Sequence, residues 1–361
     1  MSNRRRGAAA APAHGALALR PDQIPRAWWT GFAVALVLLA LAPLVVGEYT
    51  LTLLVVYGLL ALSLAFVWGI SGILCFGQAA FYGLGAYAYA VAAINFGEST
   101  GALLVGVLVA GVFALALGAM MFYGRIGDVY LGVITLVTTL ILFKYANSTA
   151  GEAYVIGEAR LGGFNGIPGF PILNVPGLPD QPVYGLALYY VAAVVLLLCW
   201  YLCRRLSASA FGRLLAGIRE NELRAELSGY DVRLAKTLAF GFGGALAGLA
   251  GVLYACWAEI VTPEVFSLGV SAEIIIWVLV GGIGTLAGPV LGAIGLGALK
   301  GVLGAQQWIN NAVVMGVLLV LVVLFLPSGI LPTVARVALR VRDGWHRARG
   351  RTAQTGGHDG K

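Results

Sequence analysis

Long apolar segments alternate with short polar ones along most of the chain. Several approach the ~20 residues that an α-helix needs to cross the ~30 Å hydrocarbon layer of a membrane. The segments that predict spanning helices are 28–46, 49–70, 69–94, 102–123, 129–145, 183–203, 237–257 and 309–326. No period-two alternation of apolar and polar residues recurs between turns, which argues against a transmembrane barrel. The pattern therefore predicts an all-α polytopic membrane protein.

One further apolar segment, 271–301, fits neither one crossing nor two. At 1.5 Å per residue it would form a helix of ~45 Å, which is too long for one crossing and too short for two. It is interrupted by Gly281, Gly282, Gly284, Gly288 and Pro289. We expect a broken helix pair or a re-entrant hairpin here, which makes about ten transmembrane or partly spanning helices in all.

Composition and charge support this class and predict an orientation. Hydrophobic residues make up 60% of the 361 positions and charged residues only 11%, which excludes a soluble domain of this size. Much of the net charge of +7 comes from arginines that precede the first span and follow the last. We attribute them to the positive-inside rule, not to nucleic-acid binding, because they flank membrane spans and lack interleaved aromatic residues. Both termini are then expected in the cytoplasm.

The same rule divides the chain into regions. We expect a basic cytoplasmic tail at 1–27, a transmembrane domain at 28–332 and a second basic cytoplasmic tail at 333–361. Six crossings from a cytoplasmic N-terminus return the chain to the cytoplasm at 204–236, the most charged internal segment. The Gly- and Pro-rich segment 147–182 is placed on the outer, periplasmic face.

Metal-binding and catalytic side chains are scarce in the apolar segments. The histidines, His14, His346 and His358, fall in the polar ends, and the four cysteines lie within apolar runs without paired spacing. We therefore expect no metal site and no nucleophile–base pair at membrane depth, which argues against a membrane-embedded enzyme. The sequence also lacks GxxxxGK[ST], the loop that cradles ATP phosphates, so no cofactor is expected on this chain.

Two Gly-interrupted stretches, Gly69–Tyr87 and Val280–Ala293, lie in the two halves of the chain. Irregular backbone at membrane depth is tolerated where protein or a water-filled cavity satisfies its polar groups, and paired broken segments indicate a substrate pathway. The alternative is that the glycines only allow close helix packing. The candidate pathway residues are Ser71, Gln78, Tyr82, Thr135, Thr138, Trp277, Gly281, Gly282 and Thr285.

Ionisable residues near the membrane are few, and we interpret them as interface anchors or docking points. They are Glu48, Lys144, Glu259, Glu264 and Glu273. A secondary transporter usually keeps an ionisable residue deep in its bundle to couple to a driving ion. The nearly uncharged interior therefore favours energy that is supplied by another protein.

The segment 211–227 has the pattern of a short amphipathic helix that Gly229 would end. Its apolar positions include Leu214, Ile218 and Leu227, and charged residues lie between them. Such a helix cannot span the bilayer, so it lies at the membrane surface or in a groove of a partner protein.

The sequence of this loop, GRLLAGIRENELRAELSGYDVRLAK, resembles the cytoplasmic signature of permeases of the branched-chain amino-acid ABC importer family, of the LivM type. The resemblance extends from about 45 to 332 through GISGILCFGQAAFYGLGAY, DVYLGVITL and EIIIWVLVGGIGTLAGPVLGA. In that family the loop carries a coupling helix that fits into an ATPase subunit. Matching positions here are Gly212, Arg213, Arg219, Glu220, Asn221, Glu222, Ala225, Gly229 and Lys236.

The resemblance implies the rest of an import machine in a bacterial inner membrane. It implies a homologous second permease of the LivH type, two cytoplasmic ATPases that hold ATP and Mg, and a periplasmic solute-binding protein. The expected solutes are branched-chain or other hydrophobic amino acids. Urea or a short amide is the alternative, because urea importers have permeases of the same family. A secondary transporter is a less favoured third possibility.

Overall fold

The computed structural model describes residues 26–175 and 178–304 of the chain. It also describes Gly316, Val317, Val320, Leu324, Gly329, Ile330 and Thr333. Most of the predicted last span (309–326) and of the two predicted tails lies outside these residues. The boundaries predicted for those regions therefore stay predictions.

Helices account for most of the described chain. They are α1 (Arg26–Leu41), α2 (Glu48–Leu64), α3 (Gln78–Phe96), α4 (Ser99–Tyr123), α5 (Asp128–Ser148), α6 (Leu186–Ala208), α7 (Ala210–Glu220), α8 (Glu222–Leu227), α9 (Val232–Ala258), α10 (Leu268–Gly281) and α11 (Ala287–Gly304). In the described part, α2 with its continuation, α3, α4, α5, α6 and α9 are long and apolar enough to cross a membrane. The predicted class, an all-α polytopic membrane protein, is confirmed.

The segment 147–182 contains short strands that tie it to the rest of the molecule. The strands of the described chain are β1 (Val155–Ile156), β2 (Ala159–Arg160), β3 (Ile167–Pro168), β4 (Asn174–Val175), β5 (Leu178–Pro182) and β6 (Ile260–Val261). β3 pairs antiparallel with β6, which lies between α9 and α10. We call this side of the bundle the strand end, and the opposite side, with α7 and α8, the α7 end.

The centre of the bundle is formed by α3, α4 and α9, which approach closely because small residues line their contacts. A Cβ atom at Gly85 of α3 would collide with the backbone of Gly248 in α9. A Cβ at Gly251 would likewise collide with the carbonyl of Tyr82. Such contacts replace the hydrophobic driving force, which is absent between helices in lipid. Part of the glycine content therefore serves packing.

α10 and α11 form a helical hairpin, as the sequence predicted for 271–301. The 14 residues of α10 extend over only ~21 Å, which is less than one bilayer. Gly281 near the end of α10 meets Gly288 near the start of α11 so closely that neither position has room for a Cβ. At the other end of the hairpin, Lys300 Nζ lies 2.6 Å from Glu273 Oε1. The hairpin therefore enters the bundle and returns.

Candidate coupling element and solute pathway

The first broken segment separates α2 from α3. α2 continues as a π-helical turn (Ala65–Ile70), after which residues 71–77 form no helix. The freed backbone is satisfied by neighbouring helices, since the amide of Phe76 donates to Thr135 Oγ1 at 3.2 Å. Within the membrane, the polar groups of irregular backbone need hydrogen-bond partners of this kind. The fold therefore accommodates the non-helical segment 71–77 through a defined hydrogen bond to α5.

Gln78 begins α3 in the interior of the bundle and joins three helices. Its Nε2 donates to Ser63 Oγ of α2 at 2.8 Å and to the carbonyl of Gly243 in α9 at 3.2 Å. Its Oε1 is buried and has no hydrogen-bond partner in the described part of the chain. A buried acceptor without a partner is costly and calls for an explanation, such as a bound water or a strained site.

The second broken segment is the turn of the α10–α11 hairpin. Gly282 has φ +114° and Gly284 has φ +90°, conformations that side chains other than hydrogen disfavour. The turn is held by Thr285, whose Oγ1 donates to the carbonyl of Gly282 at 3.0 Å. A Cβ at Gly69 would lie 3.1 Å from the amide nitrogen of Gly284, so the two broken segments touch each other.

The amphipathic segment consists of two helices, so the prediction of one helix over 211–227 was wrong. Asn221 has extended backbone (φ −160°, ψ 100°) and separates α7 from α8. Its Oδ1 accepts from the amide of Arg224 at 2.9 Å, which caps α8. Asparagine is among the preferred N-cap residues and so begins a new helix here. The packed face also differs from the prediction: Leu215 and Ile218 are buried, whereas Leu227 is 80% exposed.

Arg219 connects α7 to both broken segments. Its guanidinium Nη1 donates to the carbonyl of Gly69, at the end of the π-helical turn. Its aliphatic stem covers Gly72, where a Cβ would lie 2.8 Å from Arg219 Cγ. The same guanidinium lies 3.9 Å from the position of a Cβ on Gly284, in the hairpin turn. Arg219 therefore bonds α7 to the first broken segment and lies next to the second.

Ion pairs fasten α8 to the adjoining helices at the α7 end. Lys236 Nζ of α9 lies 2.5 Å from Glu222 Oε2. Glu226 Oε1 lies 3.5 Å from Arg125 Nη2, in the turn after α4, and 3.9 Å from Arg233 Nη2. Exposed pairs of this type contribute little to stability, about 0–1 kcal/mol each. Their positions show that α8 lies against the turn after α4 and against the start of α9.

A groove of about 520 Å³ runs between α7 and α8. Its lining includes Arg213, Asn221 and Ala225, which were predicted for coupling, and also Arg224, which was not. Gly212 is buried against the turn that precedes α7, with no room for a Cβ. Concave surfaces of this size and mixed polarity suit the side chains of a partner protein.

The remaining predicted coupling residues occupy the edges of this element. Glu220 is exposed at the last position of α7. Gly229 has φ +87° and follows α8, which agrees with the predicted helix end. The structure therefore places the predicted coupling residues on α7, α8 or the turns beside them, except Lys236, which lies in the first turns of α9.

All the predicted pathway residues except Thr138 lie at a break or in an aromatic contact. Ser71, Gln78 and Thr135 surround the first break, and Gly281, Gly282 and Thr285 form the hairpin turn. Tyr82 contacts the ring of Tyr254, and Trp277 contacts the ring of Tyr57. Thr138 makes its hydrogen bond to Ile134 within its own helix. That bond gives no support to a place in the pathway.

Sequence reasoning missed Lys300 as the partner of Glu273. Glu273 was interpreted as an interface anchor, but its side chain is only 21% exposed and pairs with Lys300 inside the hairpin. A signal was available, since Lys300 is a lone charge in the apolar segment that forms α11. Ionisable residues within such segments are costly and usually functional.

Metal-binding clusters do not occur in the described ranges. There, no group of three or more histidine, cysteine, aspartate or glutamate side chains could hold a metal ion. Cys75, Cys199, Cys203 and Cys256 are free and buried. Buried cysteines of this kind behave as small apolar side chains.

The helical bundle contains two broken segments that touch each other, and α7 and α8 are attached to them. These features define a membrane transport permease. Residues 46–323 match the family described as "Branched-chain amino acid transport system / permease component". The chain belongs to this family. Among solved structures, none matches the chain.

Several curated proteins are similar to the chain. The high-affinity branched-chain amino acid transport system permease protein LivM of Escherichia coli (strain K12) is 30% identical over 337 residues, 87% of this chain and 77% of the relative. The probable branched-chain amino acid transport permease protein LivM of Methanocaldococcus jannaschii is 23% identical over 64% of this chain and 69% of its own length. The ribose import permease protein RbsC of Escherichia coli (strain K12) is 30% identical over 58% of this chain and 67% of its own length.

Proposed function

We propose that this permease moves branched-chain or other hydrophobic amino acids inward across a bacterial inner membrane, driven by two ATPase subunits that bind its α7 end. In this proposal the α7 end faces the cytoplasm and the strand end faces the periplasm. A second, homologous permease and a periplasmic binding protein complete the complex. The family and the names of the LivM relatives support this assignment.

The position of Arg219, bonded to Gly69 and next to Gly284, is the observation that carries the proposal. A bundle that couples to an ion gradient needs an ionisable group on the pathway, whereas one that is driven from outside needs a mechanical connection to its pathway. Arg219 supplies such a connection, because Gly69 and Gly284 both lie beside its guanidinium. The sequence has no ATP-binding GxxxxGK[ST] loop of its own.

The transport cycle follows from this arrangement. When the ATPases close on ATP, they move the α7–α8 element that sits between them and the bundle. Arg219 transmits this movement to the end of the π-helical turn and to the hairpin turn at once. Because those turns hold few regular hydrogen bonds, they absorb the change while the Gly-packed helices α3, α4 and α9 stay together. The contact between Gly69 and Gly284 opens or closes the inner side of the pathway.

Reconstitution of the complex tests the proposal. The two permeases and two ATPases would be placed in proteoliposomes with ATP inside and the binding protein outside, and uptake of radiolabelled leucine would be measured. We expect accumulation that requires ATP and the binding protein and that persists when ionophores abolish ion gradients. Competition by unlabelled isoleucine, ribose and urea identifies the solute class, and only isoleucine should reduce uptake.

Two results would contradict parts of the proposal. Uptake that survives without ATP and disappears with ionophores would indicate a secondary transporter. Uptake of ribose or urea in place of leucine would leave the coupling intact and replace the solute. An empty liposome and a complex with an ATPase unable to hydrolyse ATP are the matched controls.

A further inference from the structure

An ion pair lies inside the α10–α11 hairpin, within otherwise apolar helices. Glu273 is in the second turn of α10 and Lys300 is in the last turns of α11, with 2.6 Å between Oε1 and Nζ. The side chains are 21% and 34% exposed, so both are partly buried yet accessible. Charges at such positions are expensive in a membrane and mark functional sites more often than structural ones.

The ion pair is not needed to close the hairpin. Gly281 and Gly288 already bring the two helices into backbone contact at the turn, and Gly292 leaves no room for a Cβ against the carbonyl of Trp277. A partly buried pair costs desolvation that its own attraction barely repays, and apolar residues of similar size often hold helices together equally well. The pair therefore calls for another explanation.

Aromatic side chains lie next to the pair. Trp277 follows Glu273 by one helical turn in α10, and the Tyr57 ring of α2 lies 4.8 Å from the Trp277 ring. A Cβ on Gly297 of α11, three residues before Lys300, would lie 3.1 Å from the Tyr57 ring. Three helices thus place apolar aromatic faces beside the ion pair.

The cluster leads to the place where the two broken segments touch. Glu273, Trp277 and Gly281 follow one another at intervals of four along α10 and so lie on one face of that helix. Gly281 borders the turn in which Gly284 meets Gly69. Trp277 and Gly281 are buried, whereas the ion pair is partly exposed, so a solute released at the strand end would meet the ion pair before it reached the contact between Gly69 and Gly284.

We propose that Glu273 and Lys300 bind the two charges of a zwitterionic amino acid, an assignment that rests on the function proposed above. The solute ammonium group replaces Lys300 as the partner of Glu273, and the solute carboxylate replaces Glu273 as the partner of Lys300. Each charge exchanges one charge-assisted hydrogen bond for another, so neither is left unpaired during passage. The apolar side chain of the solute packs against the half-buried ring of Tyr57, which itself rests on Trp277.

The arrangement selects a class of solute. An α-amino acid carries both charges on adjacent groups, whereas ribose and urea carry neither and would leave the ion pair closed. An amine or a carboxylic acid satisfies only one member of the pair and leaves the other charge unpaired in a poorly hydrated site, which is unfavourable. We therefore expect the permease to favour a zwitterion over a solute that carries only the ammonium group or only the carboxylate.

Substitutions of the pair separate recognition from a structural role. The variants are E273Q, K300M and the double variant, in the reconstituted complex, with E98Q as the matched control because Glu98 is exposed between α3 and α4 at the same end of the bundle. We expect leucine uptake to fall at least tenfold in E273Q, K300M and the double variant. ATPase activity stimulated by the binding protein should stay within about twofold of wild type, as should every property of E98Q.

The double variant decides between the two roles. If the pair were structural, removal of both charges would restore uptake, because the loss of both partners is often neutral whereas the loss of one is not. Uptake that recovers in the double variant would therefore overturn the proposal. Wild-type complex that takes up no leucine at all would instead count against the proposed function.

A second measurement needs no variant. The thermal midpoint of the wild-type complex in detergent would be recorded with leucine, with 4-methylpentanoate, which lacks the ammonium group, and with 3-methylbutylamine, which lacks the carboxylate. Leucine should raise the midpoint and the two analogues should not. An equal shift with either analogue, or none with leucine, would overturn the proposal even if the variants failed to assemble.

Discussion

At the scale of single residues, Arg219 has the most direct claim to a role in transport. Charged groups form hydrogen bonds worth about 1.5–3 kcal/mol, roughly twice those between neutral groups. The acceptor is the carbonyl of Gly69, which terminates an irregular turn and so lacks the usual helical partner. The bond therefore stabilises one arrangement of the broken segment relative to others.

Replacement of Arg219 by alanine should separate ATP hydrolysis from uptake. Loss of a bond of this strength shifts the balance between two conformations roughly 10- to 100-fold, so we expect uptake to fall by that order while the ATPases still co-purify. R219K should recover part of the activity, because lysine keeps the charge but not the shape of the guanidinium.

Arg205 provides the control for this variant. Its Nε donates to Tyr201 Oη at 2.7 Å within the last turns of α6, away from both breaks. R205A removes the same charge and should leave uptake within about twofold of wild type. Equal losses in R205A and R219A would mean that the loop needs positive charge in general, and the assigned role of Arg219 would be wrong.

Asn95 holds the strand-containing segment onto the end of α3. Its Nδ2 donates to the carbonyl of Ile156 and its Oδ1 accepts from the amide of Glu158, both at 2.9 Å. N95A removes both bonds, at about 0.5–1.5 kcal/mol each, so the segment should be cleaved several-fold faster by trypsin in detergent.

The comparison for N95A is N147A, because Asn147 bonds only to the carbonyl of Phe143 in its own helix. N147A should be cleaved at the wild-type rate, at Arg160 or elsewhere. If N95A were as resistant as wild type, the paired strands β3 and β6 would be sufficient to hold the segment.

At the scale of elements, the α10–α11 hairpin depends on its glycines. An added methyl group at Gly288 would overlap the carbonyl of Gly281, and overpacking of this kind costs typically 1–3 kcal/mol. We expect G288A to lower the thermal midpoint of the purified protein by several degrees. G295A is the matched control in the same helix, because nothing lies within 4 Å of a Cβ there.

The two glycine variants also separate two origins of instability. G295A should leave the midpoint unchanged or raise it slightly, since alanine favours helix over glycine. An equal fall in both variants would show that α11 tolerates no substitution, whatever its contacts. The difference between the thermal midpoints of G288A and G295A measures what the contact at the hairpin turn contributes.

Elements were predictable from sequence wherever one physical signal dominated. Apolar length predicted the long helices, and the excess length of 271–301 with its glycines predicted the hairpin. The break at Asn221 was missed because the apolar period continues across it, while a capping side chain ends one helix and begins the next. The period of the apolar residues alone does not reveal a capping residue that divides one helix into two.

The predicted pathway was harder to assemble, because contacts between distant segments decide it. Composition indicated polar residues near the breaks, and most of them do lie there. It did not indicate that Gly69 touches Gly284, that Arg219 reaches both, or that Glu273 finds Lys300. Those contacts depend on how the helices pack, and no local pattern records that packing. Thr138 shows the converse, a polar side chain that bonds only within its own helix.

At the scale of the whole molecule, the two ends of the bundle differ in construction. The strand end is tied together by short antiparallel pairs and by side-chain bonds such as those of Asn95. The α7 end carries the ion pairs of Glu222 and Glu226 and a groove between two short helices. In the proposed mechanism the strand end receives the solute and the α7 end receives the movement of the ATPases.

Cysteine accessibility tests that division most directly. Cys75, Cys199, Cys203 and Cys256 are all buried and would be replaced to give a cysteine-free background. Single cysteines would then be placed at Leu223 of α8, which is 65% exposed, and at the exposed Gly151 of the opposite end. A membrane-impermeant maleimide is added to intact cells and, separately, to inverted vesicles.

The proposed mechanism predicts that G151C is labelled in intact cells and that L223C is labelled only in inverted vesicles. A permeant maleimide should label both positions in either preparation, which confirms that the two cysteines are reactive. Labelling of L223C by the impermeant reagent in intact cells would place α7 and α8 outside the cell. No ATP-driven subunit could then reach Arg219, and the proposed mechanism would be wrong.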